Sequence, residues 1–239
     1  MRMRSKRWTD QELANNPHVI KDAEEKKGHW AEYFGNDHPI YIEVGCGKGN
    51  FISKNAEKYP YINFIGIEKQ HTIIGIAARK AGNLPNLALI ETDAKDLNEL
   101  FEVGEFQRIY LNFSDPWPKR RNYKRRLTYR EFLASYRALF GEKGEIFFKT
   151  DNRSLFEFSL EEFSADKWLL SHISLDLHHS PYAAENIMTE YEERFSSMGM
   201  PIYRLEARFG VEPDPMPSSA VLPAADEDTE TPLAIQAAE

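Results

Sequence analysis

The chain has 239 residues, 41% of them hydrophobic, which is enough to bury a sizeable core in one large domain or two small ones. The mean hydropathy is −0.58 and no apolar run is long enough to span a membrane, which argues against a transmembrane helix. The basic start is not followed by an apolar stretch, which argues against a secretory signal. The single cysteine, Cys46, excludes an internal disulfide and favours a cytoplasmic location.

The net charge of −8 is distributed unevenly. Residues 211–239 hold seven acidic residues and no Lys or Arg, so residues 1–210 have 31 acids against 30 bases. Because residues 1–210 are nearly neutral, the net charge does not argue against a polyanionic partner. Local clusters of charge must decide whether the protein binds one. Rich in Pro, Ala, Ser and Thr, residues 211–239 are predicted to form a disordered acidic tail.

The sequence of residues 1–37 predicts a basic N-terminal arm followed by a short helix. The bases of the arm could extend a positive field toward a polyanion or could belong to a frayed end, and the sequence leaves both readings open. These bases are Arg2, Arg4, Lys6 and Arg7.

From residue 38 to residue 210, short apolar runs alternate with segments of helical spacing. This alternation predicts βαβ units and a parallel sheet in one domain. The predicted strands are 40–44, 62–67, 87–91, 108–113 and 145–150. The predicted helices are 50–58, 70–82, 128–140 and 152–164. Two later strand-like runs, 168–177 and 202–209, predict an antiparallel pair at the sheet edge.

Three glycines follow the first predicted strand, in the sequence IYIEVGCGKGNF. Gly45, Gly47 and Gly49 allow a tight turn and a close approach of backbone to ligand before a helix. The dinucleotide fingerprint needs its third glycine one position later, where this chain has Asn50, so NAD is disfavoured. An ordinary tight turn remains the alternative.

Acidic residues mark the ends of the first three predicted strands. Glu68 could accept both hydroxyl protons of a ribose, Asp93 could reach an adenine edge, and Glu43 adds negative charge near the glycine turn. Three carboxylates suit a cationic ligand such as S-adenosylmethionine better than a pyrophosphate. Alternatively, Glu68 and Asp93 only cap the helices that follow.

The fourth predicted strand leads into the sequence NFSDPWPKRRNYKRR. Asp115 precedes Pro116, Trp117 and Pro118, so a carboxylate lies on a stiff backbone beside an aromatic face that could receive a flat base. Core packing of Trp117 is the alternative. Seven bases and no acid then occur in twelve positions, which favours phosphate binding over a merely solvated face. These bases are Lys119, Arg120, Arg121, Lys124, Arg125, Arg126 and Arg130.

Six segments, in order, resemble the bacterial tRNA (guanine-N7-)-methyltransferases. They are IEVGCGKGNF, GIEK, ETDA, NFSDPWPKRRNYKRR, FKTDN and TEYEERF. The likeness spans residues 28–209. It implies an α/β, Rossmann-like class I methyltransferase fold with a seven-stranded, mostly parallel sheet, one antiparallel strand and helices on both faces. It also implies methyl transfer from S-adenosylmethionine to the guanine at position 46 in the variable loop of tRNA.

The resemblance also implies residue roles. The cofactor-binding residues would be Glu43, Gly45, Gly47, Glu68, Asp93 and Asp115, with Asp115 also catalytic. The substrate-binding residues would be Lys119, Asp151, Thr189, Glu190, Tyr191 and Glu192. The RNA-binding loop would be Arg121, Asn122, Tyr123, Lys124, Arg125 and Arg126. No metal site or membrane contact is expected, and the protein would be a monomer or homodimer.

Guanine N7 carries an in-plane lone pair, so its methylation needs alignment rather than a strong base. The carboxylates of Asp115 and Glu192 would stabilise the positive charge that appears on the purine. They would also accept hydrogen bonds from the guanine N1–H and amino group. Two alternatives remain: a methyltransferase that modifies an exocyclic amine, and a non-catalytic RNA-binding module on the same scaffold.

Overall fold

The structure, a computed structural model, describes residues 7–210, with side chains from residue 8 onward. The predictions for residues 1–6 and for the acidic tail 211–239 lie outside the described residues. The strands are β1 (Ile40–Val44), β2 (Asn63–Glu68), β3 (Leu87–Glu91), β4 (Arg108–Asn112), β5 (Gly144–Thr150), β6 (Leu169–Ser174) and β7 (Tyr203–Phe209). The helices are α1 (Arg7–Asn15), α2 (Trp30–Phe34), α3 (Asn50–Lys58), α4 (His71–Lys80), α5 (Leu97–Leu100), α6 (Arg130–Phe140), α7 (Arg153–Ala165) and α8 (Glu190–Ser196).

The seven strands form one sheet in the order β3-β2-β1-β4-β5-β7-β6. Strands β1 to β5 pair in parallel, and β7 runs antiparallel to both β5 and β6. The fold implied by the resemblance and the predicted antiparallel edge pair are therefore confirmed. The strand order reverses between β1 and β4, and open α/β sheets bind ligands at such a switch point, outside the carboxyl ends of the strands.

Helices cover both faces of the sheet. One core contains Trp30 of α2, Tyr136 of α6 and Phe156 of α7. The other contains Phe51 of α3 and Ile74 of α4. Buried aliphatic and aromatic side chains on both faces hold the strand ends in fixed positions, which is what a site built on those ends requires.

The N-terminal segment is more ordered than the sequence predicted. Helix α1 packs closely on α4, where a Cβ on Gly75 would meet the Cγ2 of Thr9 at 2.6 Å. Trp30 is fully buried, and its indole N–H donates to the carbonyl of Leu100 at 2.8 Å. From Arg7 onward, the segment expected to be an arm with one short helix therefore carries two α-helices that contact the sheet domain. The division of the chain at residue 38 stays a prediction.

No helix between residues 7 and 210 has the length and apolar character needed to cross a membrane.

Candidate active site

A cleft of about 390 Å³ opens at the carboxyl ends of β1 to β4. Its volume lies within the range of small-molecule sites. The predicted site residues that line it are Gly45, Glu68, Asp93, Asp115, Lys124 and Arg125. The structure therefore brings together residues that lie up to 80 positions apart in the chain.

One residue of the glycine turn, Gly45, lines the cleft, and Gly47 and Gly49 lie outside its lining. Gly45 and Gly47 have φ angles of +79° and +56°, and a Cβ at either position would meet nothing within 4 Å. Positive φ is the conformation that glycine adopts without steric cost, so the turn exposes backbone toward open space. At Gly49, φ is +79° and a Cβ would lie 2.8 Å from the Cβ of Ala77, so this glycine permits the contact of α3 with α4.

Glu68 lines the cleft and also accepts hydrogen bonds from backbone groups beside it, and its contact with a ribose stays a prediction. Its carboxylate accepts from the N–H of Gln70 at 2.9 Å and from the N–H of Gly47 at 3.2 Å. Burial raises its pKa, and the backbone donors oppose that rise. Glu68 thus ties the glycine turn to the end of β2.

Asp93 likewise caps a turn while it faces the cleft. One carboxylate oxygen accepts from the N–H of Lys95 at 3.2 Å, and the other lies 3.8 Å from the ammonium of Lys69. Its side chain keeps 37% of its surface exposed. Asp93 is therefore accessible to a ligand at the end of β3.

Glu43 is 2% exposed and lies outside the cleft lining, next to Asn112, which lines the cleft. Its Oε1 accepts from the amide of Asn112 at 2.8 Å. Among the described residues, its Oε2 and the Oδ1 of Asn112 have no hydrogen-bond partner. Burial raises the pKa of Glu43 to about 7, against the opposing effects of Asn112 and Lys149. Unsatisfied acceptors such as the Oδ1 of Asn112, which lines the cleft, are the kind of groups that a hydrogen-bonding ligand would satisfy.

The loop after β4 also lines the cleft. Asp115 is exposed, Trp117 is half-buried, and both line the cleft. The guanidinium of Arg125 lies 4.9 Å from the centroid of the Trp117 ring. The core-packing alternative for Trp117 therefore does not hold, because its ring faces the cleft beside a cation.

The basic segment turns as a short 3-10 helix, Arg120–Arg125, at the rim of the cleft. Within residues 8–210, no ion-pair partner lies within 4.0 Å of its exposed cations Lys119, Arg120, Arg121 and Arg125. Lys124 has only a long, exposed contact with Glu131, at 3.7 Å. Unpaired, exposed bases are available to phosphates.

Arg126 differs from the rest of the predicted RNA-binding loop, because it is 3% exposed. Asn122 and Tyr123 are half-buried. The side chain of Arg126 turns into the protein, so its predicted contact with RNA gains no support from its placement.

The segment that begins at Thr189 lies beside the cleft rather than in its lining. Thr189 caps α8, its hydroxyl accepting from the N–H of Glu192 at 2.9 Å. Glu190 forms ion pairs with Lys48 of the glycine turn and with Lys80 of α4. Tyr191 is exposed, and its ring centroid lies 5.1 Å from that of Phe113, which lines the cleft.

Glu192 is fully buried and pairs with protein groups. Its Oε2 accepts from the ammonium of Lys149 at 2.7 Å, and its Oε1 accepts from the amide of Asn186 at 2.6 Å. His178 lies 3.3 Å from the same Oε1. The predicted contact of Glu192 with guanine stays a prediction, and the structure shows this carboxylate docking α8 on β5.

Two further predicted substrate residues, Lys119 and Asp151, lie outside the cleft lining. Asp151 directly follows β5 and lies close to Tyr191, whose pKa is raised by partial burial and then by the Asp151 carboxylate. Sequence reasoning missed Asn112 and Lys149. Both are polar residues within apolar strand runs, IYLNF and EIFFKT, and that interruption is the signal that could have identified them.

The sequence of residues 37–205 matches a family described as putative methyltransferase. A tRNA (guanine-N(7)-)-methyltransferase from Streptococcus mutans is 54% identical over 212 residues, which cover 87% of this chain and 100% of that protein. Proteins of the same name from Geobacillus sp. and Listeria welshimeri are 52% and 55% identical and cover 87% of this chain. The match covers 96% and 99% of those two proteins.

Solved structures with a similar fold include a 16S rRNA methyltransferase, KamB, at a TM-score of 0.56 and 15% identity, covering 78% of this chain and 94% of that one. A 16S rRNA (adenine(1408)-N(1))-methyltransferase with cosubstrate SAM has a TM-score of 0.53 and 18% identity, covering 82% and 95%. These likenesses concern the fold.

Proposed function

We propose, because this chain belongs to the tRNA (guanine-N(7)-)-methyltransferases, that it methylates N7 of the guanine at position 46 in the variable loop of tRNA. The chain is an S-adenosylmethionine-dependent methyltransferase of tRNA. One observation supports the finer proposal most: an exposed carboxylate, Asp115, opens onto the cleft on a stiff loop that continues directly into unpaired, exposed bases.

We propose that the acidic residues at the strand ends bind a cationic cofactor. Glu68, Asp93 and Asn112 line the cleft, and Asn112 and the buried Glu43 beside it each leave one acceptor atom without a hydrogen bond. S-adenosylmethionine, when bound, supplies an electrophilic methyl group on a sulfonium and carries an ammonium group. We propose that Glu68 holds the ribose hydroxyls, that Asp93 faces the adenine, and that Glu43 attracts the positive end.

The residues of the chain act mainly by orientation. Guanine N7 has a free lone pair, so no side chain has to remove a proton first, and in-line alignment contributes about 7 to 11 kcal/mol of the barrier reduction. As positive charge develops on the purine, the Asp115 carboxylate stabilises it. The same carboxylate accepts from the guanine N1–H and amino group, a donor pair that adenine lacks.

We propose that tRNA binds along the exposed bases Lys119, Arg120, Arg121, Lys124 and Arg125, because these cations adjoin the cleft. Phosphate contacts of this kind position the nucleic acid, while contacts to the base select it. We propose that Tyr191, Thr189 and Asp151 contact the target nucleotide or its neighbours, because the Tyr191 ring packs against that of Phe113 in the cleft lining. We also propose that the protein acts in the cytoplasm, as a monomer or a homodimer.

Nucleoside analysis after incubation with labelled S-adenosylmethionine and tRNA tests the proposal. We expect 7-methylguanosine from a tRNA transcript with guanine at position 46, and none from the matched transcript with adenine there. A label on an exocyclic amine would favour the alternative methyltransferase, and that product lacks the fixed positive charge of an N7-methylated base. No labelled nucleoside from any tRNA would favour the non-catalytic RNA-binding module.

A further inference from the structure

Arg126 is the one member of the predicted RNA-binding loop with a buried guanidinium, among the residues that the structure describes. Its Nε donates to the carbonyl of Pro116 at 2.8 Å, and its Nη2 donates to the carbonyl of Trp117 at 3.4 Å. The neighbouring Arg125 is exposed. Adjacent arginines of the same loop thus face in different directions, one toward solvent and one toward the backbone that follows Asp115.

Aromatic rings hold the guanidinium of Arg126 in place. Its central carbon lies 3.7 Å from the ring centroid of Tyr123 and 4.3 Å from that of Phe158, a residue of α7. Arginine combines a planar fork of donors with stacking on aromatic faces, which lysine cannot reproduce. Through Phe158, the guanidinium links the loop after β4 to a helix of the core.

The loop that Arg126 contacts has an unfavourable backbone. Phe113 and Trp117 have φ angles of +51° and +41°, which are uncommon for residues with side chains and persist where surrounding structure enforces them. Pro116 and Pro118 lack an N–H, so neither can donate a backbone hydrogen bond that would fix the loop. The carbonyls of Pro116 and Trp117 remain available, and both accept from Arg126.

We propose that Arg126 is a positioning residue: it fixes the conformation of residues 113–118 and thereby the direction of the Asp115 carboxylate, and it does not contact an RNA phosphate. The inference rests on the proposed function, because Asp115 is placed there as the catalytic carboxylate. Arg126 is 3% exposed, and its guanidinium, which donates to two carbonyls and lies over two aromatic rings, faces the protein rather than an RNA phosphate.

Arg126→Lys, which keeps the charge and loses the fork, distinguishes the two roles. We expect this variant to lower kcat for tRNA methylation about tenfold or more at saturating tRNA, because misplacement of catalytic groups acts on turnover. The slope of log affinity for tRNA against log salt should equal that of the wild type. Arg125→Ala is the matched contrast, with a higher KM for tRNA and a salt slope that falls by about one unit.

Phe158→Leu provides an independent variant if Arg126→Lys does not fold. It removes one face of the stack on α7 and leaves every base in place, so we expect a lower kcat and an unchanged salt slope. The exposed Lys143 lies at the opposite end of the sheet, and Lys143→Ala serves as the charge control with wild-type kcat and KM.

Wild-type kcat in both Arg126→Lys and Phe158→Leu would overturn the inference. So would a loss of one unit of salt slope in Arg126→Ala, since that result would assign Arg126 to a phosphate. A wild-type protein that methylates no tRNA guanine would instead overturn the proposed function, so the two failures are distinguishable.

Discussion

Asp115 is exposed on a stiff loop, so its substitution tests its role in methyl transfer with little effect on the stability of the fold. We expect Asp115→Asn to lower turnover on tRNA about a hundredfold or more, because a preorganised charge that faces developing charge contributes a factor of that size. Thermal unfolding of the variant should match that of the wild type. A folded variant with normal turnover would remove Asp115 from the catalytic machinery.

The buried carboxylate of Glu43 makes cofactor binding sensitive to pH near neutrality. Its pKa is raised to about 7 by burial, so it becomes protonated as pH falls through 7 and then attracts a cation less strongly. We expect the affinity for S-adenosylmethionine, measured by calorimetry, to fall as pH is lowered from 8 to 6.

The same shift affects stability in a defined direction. Between about pH 4.5 and 7 the folded state binds more protons at Glu43 than the unfolded state, so this group makes the free energy of unfolding decrease as pH rises across that window. Glu43→Gln, which cannot titrate, should weaken both pH dependences. If the variant shows the wild-type dependence of cofactor affinity, another group is responsible.

The positions of site residues were predictable from the sequence where the order and direction of the strands fix them. Glu68 ends one parallel strand and Asp93 follows the next, so their side chains had to lie at the same end of the sheet. The orientation of single side chains was not predictable, because a run of arginines does not reveal which guanidinium turns inward. Arg126 and Glu192 are buried by partners distant in sequence, Phe158 and Lys149, and these contacts exist only after folding.

At the scale of elements, α8 is held on β5 by the buried pair of Glu192 and Lys149. Removing one partner leaves an uncompensated buried charge, which costs about 3 to 5 kcal/mol. We expect Glu192→Met and Lys149→Met to lower the free energy of unfolding by such an amount when made singly. The double variant should recover most of it, as chemical denaturation would measure.

Methylation by that double variant separates two roles of Glu192. If its carboxylate only docks α8, the refolded double variant should regain much of the activity that each single variant loses. A stable double variant without activity would mean that Glu192 contacts the guanine after a rearrangement of α8.

The strands and long helices were predictable from periodicity, since apolar runs that are buried on both faces give an unmistakable parallel-sheet pattern. The predicted first and third strands agree with β1 and β3 at both ends. The N-terminal helices were not predictable in detail, because they are short and polar. Their order depends on tertiary contacts, such as α1 on α4 and Trp30 under α5, that local sequence does not encode.

At the scale of the whole molecule, the overall charge opposes tRNA binding while the local charge favours it. Residues 1–210 are nearly neutral, with 31 acids and 30 bases, and the exposed bases of residues 119–125 adjoin the cleft. The seven acids of residues 211–239 are joined to the same body, and the matching family region ends at residue 205. Like-charge repulsion between these acids and a polyanion should slow association, most strongly at low salt.

A full-length variant with these seven acids replaced by their amides tests this balance. We expect it to bind tRNA up to about tenfold more tightly at low salt, because the repulsive part of the field is gone. The difference should vanish near 1 M salt, where screening shortens the reach of charges to about 3 Å. Affinity for S-adenosylmethionine should not change, because the acids of the cleft are retained. Equal tRNA affinities at low salt would mean that the charge of residues 211–239 does not act on RNA at all.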